Sequence, residues 1–179
     1  MEYRLQEPFT TKKMKPLRAG DRVLLTGTIY TARDAAHKRM VNALQNNQPI
    51  PILLKDAVIY YVGPTPAPKG RPIGSAGPTT SYRMDDYAPT LLALGQSGMI
   101  GKGMRNNRVI EAMKENGAVY FAAIGGAGAL MSQSIVDCQV IAYEDLGAEA
   151  VRRLKVKDMP VIVAIDSQGN DLYRRNEDD

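Results

Sequence analysis

The run Val23-Leu-Leu-Thr-Gly-Thr-Ile29 decides how this chain folds. It is dominated by aliphatic and β-branched residues, which predicts a buried strand. Thr31-Ala-Arg-Asp34 follows at once and predicts the start of a helix, because a carboxylate stands three residues past a hydroxyl that can cap the helix. This helix is expected to run to about Asn46. A strand that passes directly into a helix is the repeating unit of α/β proteins.

Outward from this unit, predicted strands and helices keep alternating. Further strands are predicted at 57–62, 119–124, 140–143 and 161–165, and further helices at 85–94, 105–116 and 129–135. The last strand, the turn Asp166-Ser-Gln-Gly-Asn170 and Leu172-Tyr173 predict a terminal hairpin. We therefore expect an α/β fold with a mixed sheet, in which βα units are combined with antiparallel pairing.

One domain is expected, with a short segment on each side of it. The chain has 179 residues, of which 44% are hydrophobic, and this suits a single packed core. Residues 1–19 carry Pro8 and Pro16 and no sustained apolar period, so they predict an N-terminal arm or an edge strand. The domain is placed at 20–173, and residues 174–179 are expected to be a frayed tail.

Composition excludes several classes of function. Subtracting 19 acidic from 23 basic side chains leaves a charge of +4, too small and too dispersed to indicate nucleic-acid binding. The single cysteine, Cys138, cannot by itself hold a cysteine-bound iron–sulfur cluster or zinc site. No run approaches about 20 apolar residues, and no signal-peptide core follows Met1, so a cytoplasmic protein without membrane contact is expected. A small anionic substrate remains open.

Arg33-Asp34-Ala-Ala-His37 is the first candidate site, because it stands at the predicted junction of strand and helix. The unpaired N–H groups of a helix start attract an anion, and Arg33 adds a two-pronged donor for a carboxylate. His37, the only histidine, lies four residues further on and so shares a helix face with Arg33. Spacing alone favours the simpler alternative, a surface Arg–Asp pair beside a solvated histidine.

A stretch rich in proline and glycine, from Gly63 to Arg83, holds the second candidate site. Loops of this length are usually either functional or disordered. Its end, Gly74-Ser75-Ala-Gly77-Pro78-Thr79-Thr80-Ser81-Tyr82-Arg83, combines hydroxyl groups, flexible glycines and an arginine into a cradle for a carboxylate or phosphate. A rigid connector with ordinary caps explains the same residues equally well.

Two glycine motifs and a basic cluster complete the candidates. Gly101-Lys102-Gly103 places an ammonium group between residues that let backbone approach closely, but it lacks P-loop spacing and alone fits a solvated turn better. Gly125-Gly126-Ala-Gly128 is explained by close helix–sheet packing as well as by phosphate binding. Arg152-Arg153-x-Lys155-x-Lys157 is predicted to flank a helix end, and Cys138 to be a small buried hydrophobe.

Several blocks of sequence, taken in order, are similar to one known family. They are Gly27-Thr-Ile-Tyr-Thr-Ala-Arg-Asp-Ala-Ala-His37-Lys, Tyr61-Val-Gly-Pro64, Arg71-Pro-Ile-Gly-Ser-Ala-Gly-Pro-Thr-Thr80-Ser-Tyr-Arg83-Met-Asp85, Ile100-Gly-Lys102-Gly and Glu144-Asp-Leu-Gly-Ala-Glu149-Ala. Together they closely resemble the C-terminal part of class I, iron–sulfur fumarases and the β subunit of L-tartrate dehydratase, over roughly residues 20–173. The Gly-Pro-Thr-Thr-x-x-Arg-Met-Asp pattern, in order with the other blocks, is the most specific part of this resemblance.

This resemblance implies a fold of the swivelling β/β/α type and a hydro-lyase activity on a small dicarboxylate, with fumarate to malate foremost and tartrate to oxaloacetate as the other candidate. It also implies that the enzyme has a second component, which this chain does not contain. In the family, three cysteines of a separate α domain or subunit bind a [4Fe–4S] cluster whose open iron acts as a Lewis acid. This chain would then be a β subunit that holds no metal itself, acts only with a cluster-bearing α subunit, and forms a heterotetramer with it.

The resemblance also implies roles for single residues. Arg33, Arg83 and Lys102 would neutralise the substrate carboxylates, with Ser75 and Thr80 of the cradle as further substrate contacts.

The catalytic residues that it implies are Thr79, Asp34 and His37. Thr79 would lie at the reacting carbon as proton acceptor or donor. Because a free alcohol is a very poor base, Asp34 or a residue of the partner chain would share that role. His37 would be a substrate or network contact.

Two other interpretations stay open. A cluster-free subunit could bind the dicarboxylate, or support assembly, without turning it over. A self-sufficient enzyme with His37 as its base would be active without metal and without a partner chain.

Overall fold

The predicted strand around Val23 pairs with three other strands of the sheet. In the computed structural model, which describes residues 1–123 and 128–177, this strand is β2, Arg22–Thr31. β2 pairs in parallel with β1, Glu2–Gln6, along its first half and with β3, Val58–Tyr60, at its end. Of the two alternatives for the first residues, the structure shows the edge strand.

The sheet closes on itself through its longest strand, β7, Val151–Ile165. Next to β3 lie β4, Gly98–Gly101, and then β5, Val119–Ala123, both in parallel register. β7 is antiparallel to both β5 and β2, so it joins the two ends of this series. A last strand, β6, Ile135–Ala142, pairs with β7 alone. The predicted α/β fold with a mixed sheet is confirmed.

Two apolar cores lie on the two faces of the sheet. One fills the inside of the closed sheet, with Val23, Phe121 and Val163 among its members. The other packs helices against the opposite face, where Ile59 and Tyr120 alternate with the inward residues. The helices are α1 Thr11–Met14, α2 Asp34–Gln45, α3 Ala88–Ala93, α4 Asn107–Asn116, α5 Gly128–Gln133 and α6 Leu172–Glu177, with 3₁₀ helices at Ser81–Met84 and Glu144–Glu149.

The start of α2 differs from the prediction. The helix begins at Asp34, but Thr31 does not cap it, because Thr31 belongs to β2. The buried hydroxyl oxygen of Thr31 accepts a hydrogen bond from the Arg152 backbone N–H at 3.1 Å. Arg33 occupies the N-cap position without a side-chain capping bond.

Two other helices begin later than predicted. α3 starts at Ala88 and not at Asp85 or Asp86, because Asp85 ends the preceding 3₁₀ helix and Pro89 lies in the first turn of α3. α4 starts at Asn107 and not at Arg105, because the side chain of Asn106 accepts a hydrogen bond from the Val109 N–H at 3.0 Å and caps the helix.

The end of the chain carries the largest corrections. The basic cluster 152–157 lies within β7 and not beside a helix end. The predicted hairpin is wrong beyond its first strand: after the turn, a single bridge joins Ile165 to Asp171, and α6 begins at Leu172. Of the predicted tail, 174–177 belong to α6 and the last two residues lie outside the described part.

Some predictions fall at or near residues 124–127, which the structure does not describe. Ile124 and the start of the glycine motif, Gly125-Gly126-Ala127, lie outside the described residues. The helix that follows ends at Gln133, and the strand predicted at 140–143 begins earlier, at Ile135. Within the described ranges, no helix is both long and apolar enough to cross a membrane.

Candidate functional site

Three strand ends meet at one edge of the sheet. The parallel strands β2, β3 and β4 end side by side, so the residues that follow them lie close together. Arg33 follows β2, Tyr61 follows β3, and Lys102 follows β4. In α/β proteins, ligands bind at the carboxyl ends of neighbouring parallel strands.

Arg33, Asp34 and Arg83 form an ion-pair group at this edge. Nε of Arg83 lies 3.1 Å from Oδ2 of Asp34, and Nε of Arg33 lies 3.9 Å from Oδ1 of the same carboxylate. The side chain of Arg83 is 47% exposed. Nε of Arg33 and Oδ1 of Asp34 are buried and have no hydrogen-bond partner among the described residues. Two guanidinium groups therefore share one carboxylate and keep donors available for a second anion.

The first turn of α2 is capped by a carboxylate from a distant part of the chain. Oε1 of Glu149 accepts a hydrogen bond from the Ala35 N–H at 3.1 Å. Arg33 packs over Gly63, where an added Cβ would lie 2.9 Å from Nη1 of Arg33, so a larger residue there would displace the guanidinium group. Glu149 was not among the predicted site residues, although it stands in one of the family-like blocks.

The loop that follows β3 returns to the sheet and brings the two threonines to this edge. The Thr79 N–H donates to the Tyr61 carbonyl oxygen at 2.8 Å. Thr80 forms an isolated parallel bridge with Lys102, and the Ser81 N–H donates to the Lys102 carbonyl oxygen at 2.9 Å. Both threonine side chains are half-buried. The structure therefore places Thr79 and Thr80 directly beside the lysine turn.

Lys102 lies on a turn that only glycines allow. A Cβ on Gly101 would overlap Oγ of Ser81, so glycine is needed where the 3₁₀ helix crosses β4. Gly103 has φ of +87°, in the left-handed region that favours glycine. The predicted close approach is thus found at Gly101, which Ser81 and Tyr61 pack against, and not at Gly103, where an added Cβ would meet only Thr80, at 3.9 Å. Lys102 itself is exposed, so its ammonium group is open to an anion at this edge.

His37 is not the solvated residue that spacing alone favoured. Its ring is fully buried between the rings of Tyr61 and Tyr87, whose centroids lie 5.3 and 6.3 Å away. Nδ1 lies 2.9 Å from the carbonyl oxygen of Arg33 and donates to it, since a carbonyl can only accept. Burial lowers the pKa of His37 to about 4, so the ring is neutral at neutral pH. The ring therefore supports the backbone of Arg33.

Ser75 forms its hydrogen bonds within the proline-rich loop, with Thr65. It is exposed, and its N–H donates to Oγ1 of Thr65 at 2.7 Å. Thr65 lines a cavity of about 720 Å³ between the proline-rich loop and β6, together with Cys138 and Arg152. Within the described part of the chain, no hydrogen bond of Ser75 involves the residues at the strand ends.

Arg105 is buried beside this edge, whereas the sequence predicts only that it begins a helix. It is 2% exposed, and its Nε donates to Oδ1 of Asp85 at 2.7 Å. The rings of Tyr61 and Tyr120 lie over its guanidinium group, at 5.2 and 4.8 Å from their centroids. An arginine is usually exposed, so no pattern marks it as buried. The available signal was Asp85, which ends the most specific family-like block.

Exposed apolar side chains stand next to the cationic ones. Tyr82 precedes Arg83 and is 66% exposed, while Met104 lies two residues after Lys102 and is 40% exposed. The hydrogen bond between Ser81 and Lys102 keeps these segments together.

The described residues do not suit an iron–sulfur cluster. They contain no group of three or more His, Cys, Asp and Glu side chains placed to hold a metal ion. Cys138 is half-buried, and burial raises the pKa of its thiol, which disfavours the thiolate that binds metal. A cluster that needs three cysteine ligands does not fit a chain with one cysteine.

Comparison with known proteins gives one consistent result. A family model described as Fumarase C-terminus matches residues 1–176. Fumarate hydratase 2 of Leishmania major is 39% identical over 158 residues, which are 87% of this chain and 28% of that protein. The aerobic class I fumarate hydratase of Escherichia coli (strain K12) is 40% identical over 156 residues, which are 86% of this chain and 28% of that protein.

A shorter relative covers nearly the same length as this chain. It is the "Putative L(+)-tartrate dehydratase subunit beta" of Methanocaldococcus jannaschii, 39% identical over 180 residues, which are 97% of this chain and 91% of that protein. The chain thus spans less than a third of the two fumarate hydratases and most of this third relative.

Proposed function

Because the chain belongs to the fumarase C-terminus family, we propose that it is the β component of a hydro-lyase that adds water to, or removes it from, a small dicarboxylate. The names of its relatives, class I fumarate hydratase and tartrate dehydratase subunit beta, support this reaction class. Fumarate to malate is the foremost reaction, and tartrate to oxaloacetate is the other candidate. The match to 91% of the tartrate dehydratase relative supports a separate β chain.

The observation that carries the proposal is the convergence, at one edge of the sheet, of three segments that carry cationic side chains and one that carries two threonines. Arg33, Arg83 and Lys102 come from three separate segments and stand at one edge of the sheet, with Thr79 and Thr80 beside the lysine turn. A dicarboxylate needs cationic donors for two carboxylates at once. This arrangement supplies more than one such donor on a surface open to solvent.

In the proposed reaction, the cationic groups bind the substrate and then stabilise charge. The proton beside a carboxylate is weakly acidic, and its removal leaves a doubly negative aci-carboxylate. Donors that are already in place stabilise this charge best, because they need no reorganisation during the reaction. Asp34 contacts Arg83 and Arg33 before a ligand arrives, and Arg83, the more exposed of the two arginines, can exchange Asp34 for a substrate carboxylate at small cost.

Proton transfer is assigned to Thr79, with Asp34 as a second acceptor. The Thr79 N–H donates to the Tyr61 carbonyl oxygen, which holds the backbone of Thr79 beside the end of β3. His37 supports Arg33 through the carbonyl oxygen that its Nδ1 contacts. Thr80 and Ser75 stay predicted substrate contacts, of which Thr80 is the one beside Lys102.

The proposal includes a partner chain that carries the [4Fe–4S] cluster. Such a cluster, when bound, supplies a Lewis acid for the hydroxyl group that leaves or enters. Tyr82 and Met104 support a partner surface here, because they expose apolar area beside the cationic residues. A heterotetramer of α and β chains in the cytoplasm is part of the same proposal.

An anaerobic pull-down with this chain as bait tests the proposal. The eluate is assayed for iron, for acid-labile sulfide and for turnover of fumarate and tartrate, beside the isolated chain. We expect a cluster-bearing partner, and activity in the complex alone.

Other outcomes would contradict the proposal in distinct ways. If no partner is captured and the isolated chain binds dicarboxylates without iron, the chain is a binding or assembly subunit. If the isolated chain is active without metal, it is a self-sufficient enzyme, and His37→Asn should then abolish its activity.

A further inference from the structure

A buried ion pair links the two segments that carry proposed substrate contacts. Asp85 directly follows the 3₁₀ helix Ser81–Met84, which includes Arg83, and Arg105 follows the turn that includes Lys102. Nε of Arg105 lies 2.7 Å from Oδ1 of Asp85, and the two side chains are 0% and 6% exposed. The pair therefore sets the spacing between these segments from below the surface.

The geometry of this pair is fixed on both sides. Oδ2 of Asp85 accepts a second hydrogen bond, from the Asn106 N–H at 2.9 Å. Nη2 of Arg105 donates to the Tyr61 hydroxyl at 3.2 Å, and Nη1 lies 3.3 Å from Sδ of Met99. A buried guanidinium group separated from its carboxylate would be strongly unfavourable, so this arrangement has few alternatives.

Tyr120 joins the same two segments a second time. Its hydroxyl oxygen lies 2.7 Å from Oγ of Ser81 and 2.8 Å from the Gly103 carbonyl oxygen. Because the carbonyl can only accept, Tyr120 donates to Gly103 and receives the hydrogen of Ser81. Burial raises the pKa of Tyr120, so the hydroxyl keeps its proton for this bond. One tyrosine thus connects the 3₁₀ helix to the lysine turn.

We propose that Arg105, Asp85 and Tyr120 are positioning residues that hold Arg83 and Lys102 at the spacing a dicarboxylate requires. This inference rests on the proposed function. Arg105 is too buried to touch the substrate, so its effect on binding must pass through the two exposed cations. A purely structural role would lower the stability of the fold without any specific link to Lys102.

A double-mutant cycle separates these two roles. Arg105→Lys keeps the charge but loses the planar fork, and Tyr120→Phe removes one hydroxyl group. Val161→Ala is the matched control, because Val161 is buried inside the closed sheet, in the other core. Each change is made with and without Lys102→Ala in the enzyme assembled with its cluster-bearing partner.

The expected result is coupling between the buried residues and the lysine. Arg105→Lys and Tyr120→Phe should each raise KM about tenfold with a smaller change in kcat, and should raise it less than about threefold in the Lys102→Ala background. Val161→Ala should have the same effect in both backgrounds. Equal effects of Arg105→Lys and Tyr120→Phe in the two backgrounds would overturn the proposal.

Hydrogen–deuterium exchange on the chain alone distinguishes this failure from failure of the proposed function. In Arg105→Lys, amides of 79–84 and 101–104 should exchange at least about tenfold faster, while Val161→Ala should leave them unchanged. Unchanged exchange in both segments would contradict the positioning role, whatever the activity. An inactive wild-type complex with faster exchange would refute the proposed function alone. If Arg105→Lys fails to fold, Tyr120→Phe decides by the same criteria.

Discussion

Two arginine–aspartate pairs stand within the same region and differ in burial. Arg105 and Asp85 are 0% and 6% exposed with 2.7 Å between their charged atoms, whereas Arg83 and Asp34 are 47% and 35% exposed at 3.1 Å. Breaking a buried pair leaves an unpaired buried charge, while an exposed pair contributes about 0 to 1 kcal/mol. The buried pair therefore stabilises the local structure. The more exposed pair can open, so that Arg83 can bind a ligand in place of Asp34.

The largest effect is expected at Thr79, the residue to which proton transfer is assigned. Thr79→Val removes the hydroxyl group and keeps the shape, so kcat of the assembled enzyme should fall by about 10² to 10⁴ if this group moves the proton. Thr79→Ser keeps a hydroxyl and should retain substantial activity. Steady-state kinetics of both variants checks this, and equal activity would show that the hydroxyl has no role.

The next effect compares the two aspartates directly. Asp85→Asn leaves the buried Arg105 without a countercharge and should lower the free energy of unfolding by about 3 to 5 kcal/mol. Asp34→Asn affects an exposed pair and should change it by less than about 1 kcal/mol. Urea denaturation of the two variants measures both values. Similar losses of unfolding free energy in Asp85→Asn and Asp34→Asn would contradict the expectation that the buried pair contributes more to stability.

Arg83 should matter for activity and little for stability. Arg83→Ala should lower kcat/KM of the assembled enzyme about 100-fold, because a charged partner of a substrate carboxylate is lost. Arg83→Lys is the charge-preserving control and should lose less. Iron content and complex formation should match the wild type. A near-normal kcat/KM in Arg83→Ala would exclude this residue from the site.

The smallest effect is expected at His37, which supports the third cation, Arg33. Its pKa is about 4 in the folded state and 6.5 when unfolded, so below pH 6.5 only the unfolded chain takes up the proton. Folding should therefore weaken as pH falls, by about 2 kcal/mol between pH 8 and pH 5, and level off below pH 4. His37→Asn should lack this part of the dependence. Identical profiles of unfolding free energy against pH would contradict the buried neutral ring.

Local pattern was sufficient for the elements that begin the domain. The strand at Val23–Ile29 and the helix after Asp34 are both present, because each follows a simple period in its own sequence. The strand ends then bring Arg33 and Lys102 together through parallel pairing, which no local pattern shows. The resemblance to a family had placed them in one site before any geometry was known.

The long strand β7 shows what the sequence could not reveal. The spacing of its basic residues predicts the flank of a helix end, yet Leu154 and Val156 alternate with lysines and face the inner core. This alternation was the signal for a strand. Burial of Arg105 and His37 had no such signal, since it depends on tyrosines contributed by other segments.

The closure of the sheet also sets an order of events during synthesis. β2, near the start of the chain, pairs along its length with β7, so residues 22–31 wait for partners at 152–162. A growing chain cannot complete its inner core until that last strand has left the ribosome. Until then, β2 lacks β7, the strand with which it forms its longest pairing. Such distant pairing is typical of slow folding, and the unpaired apolar strand favours aggregation until β7 has been synthesised.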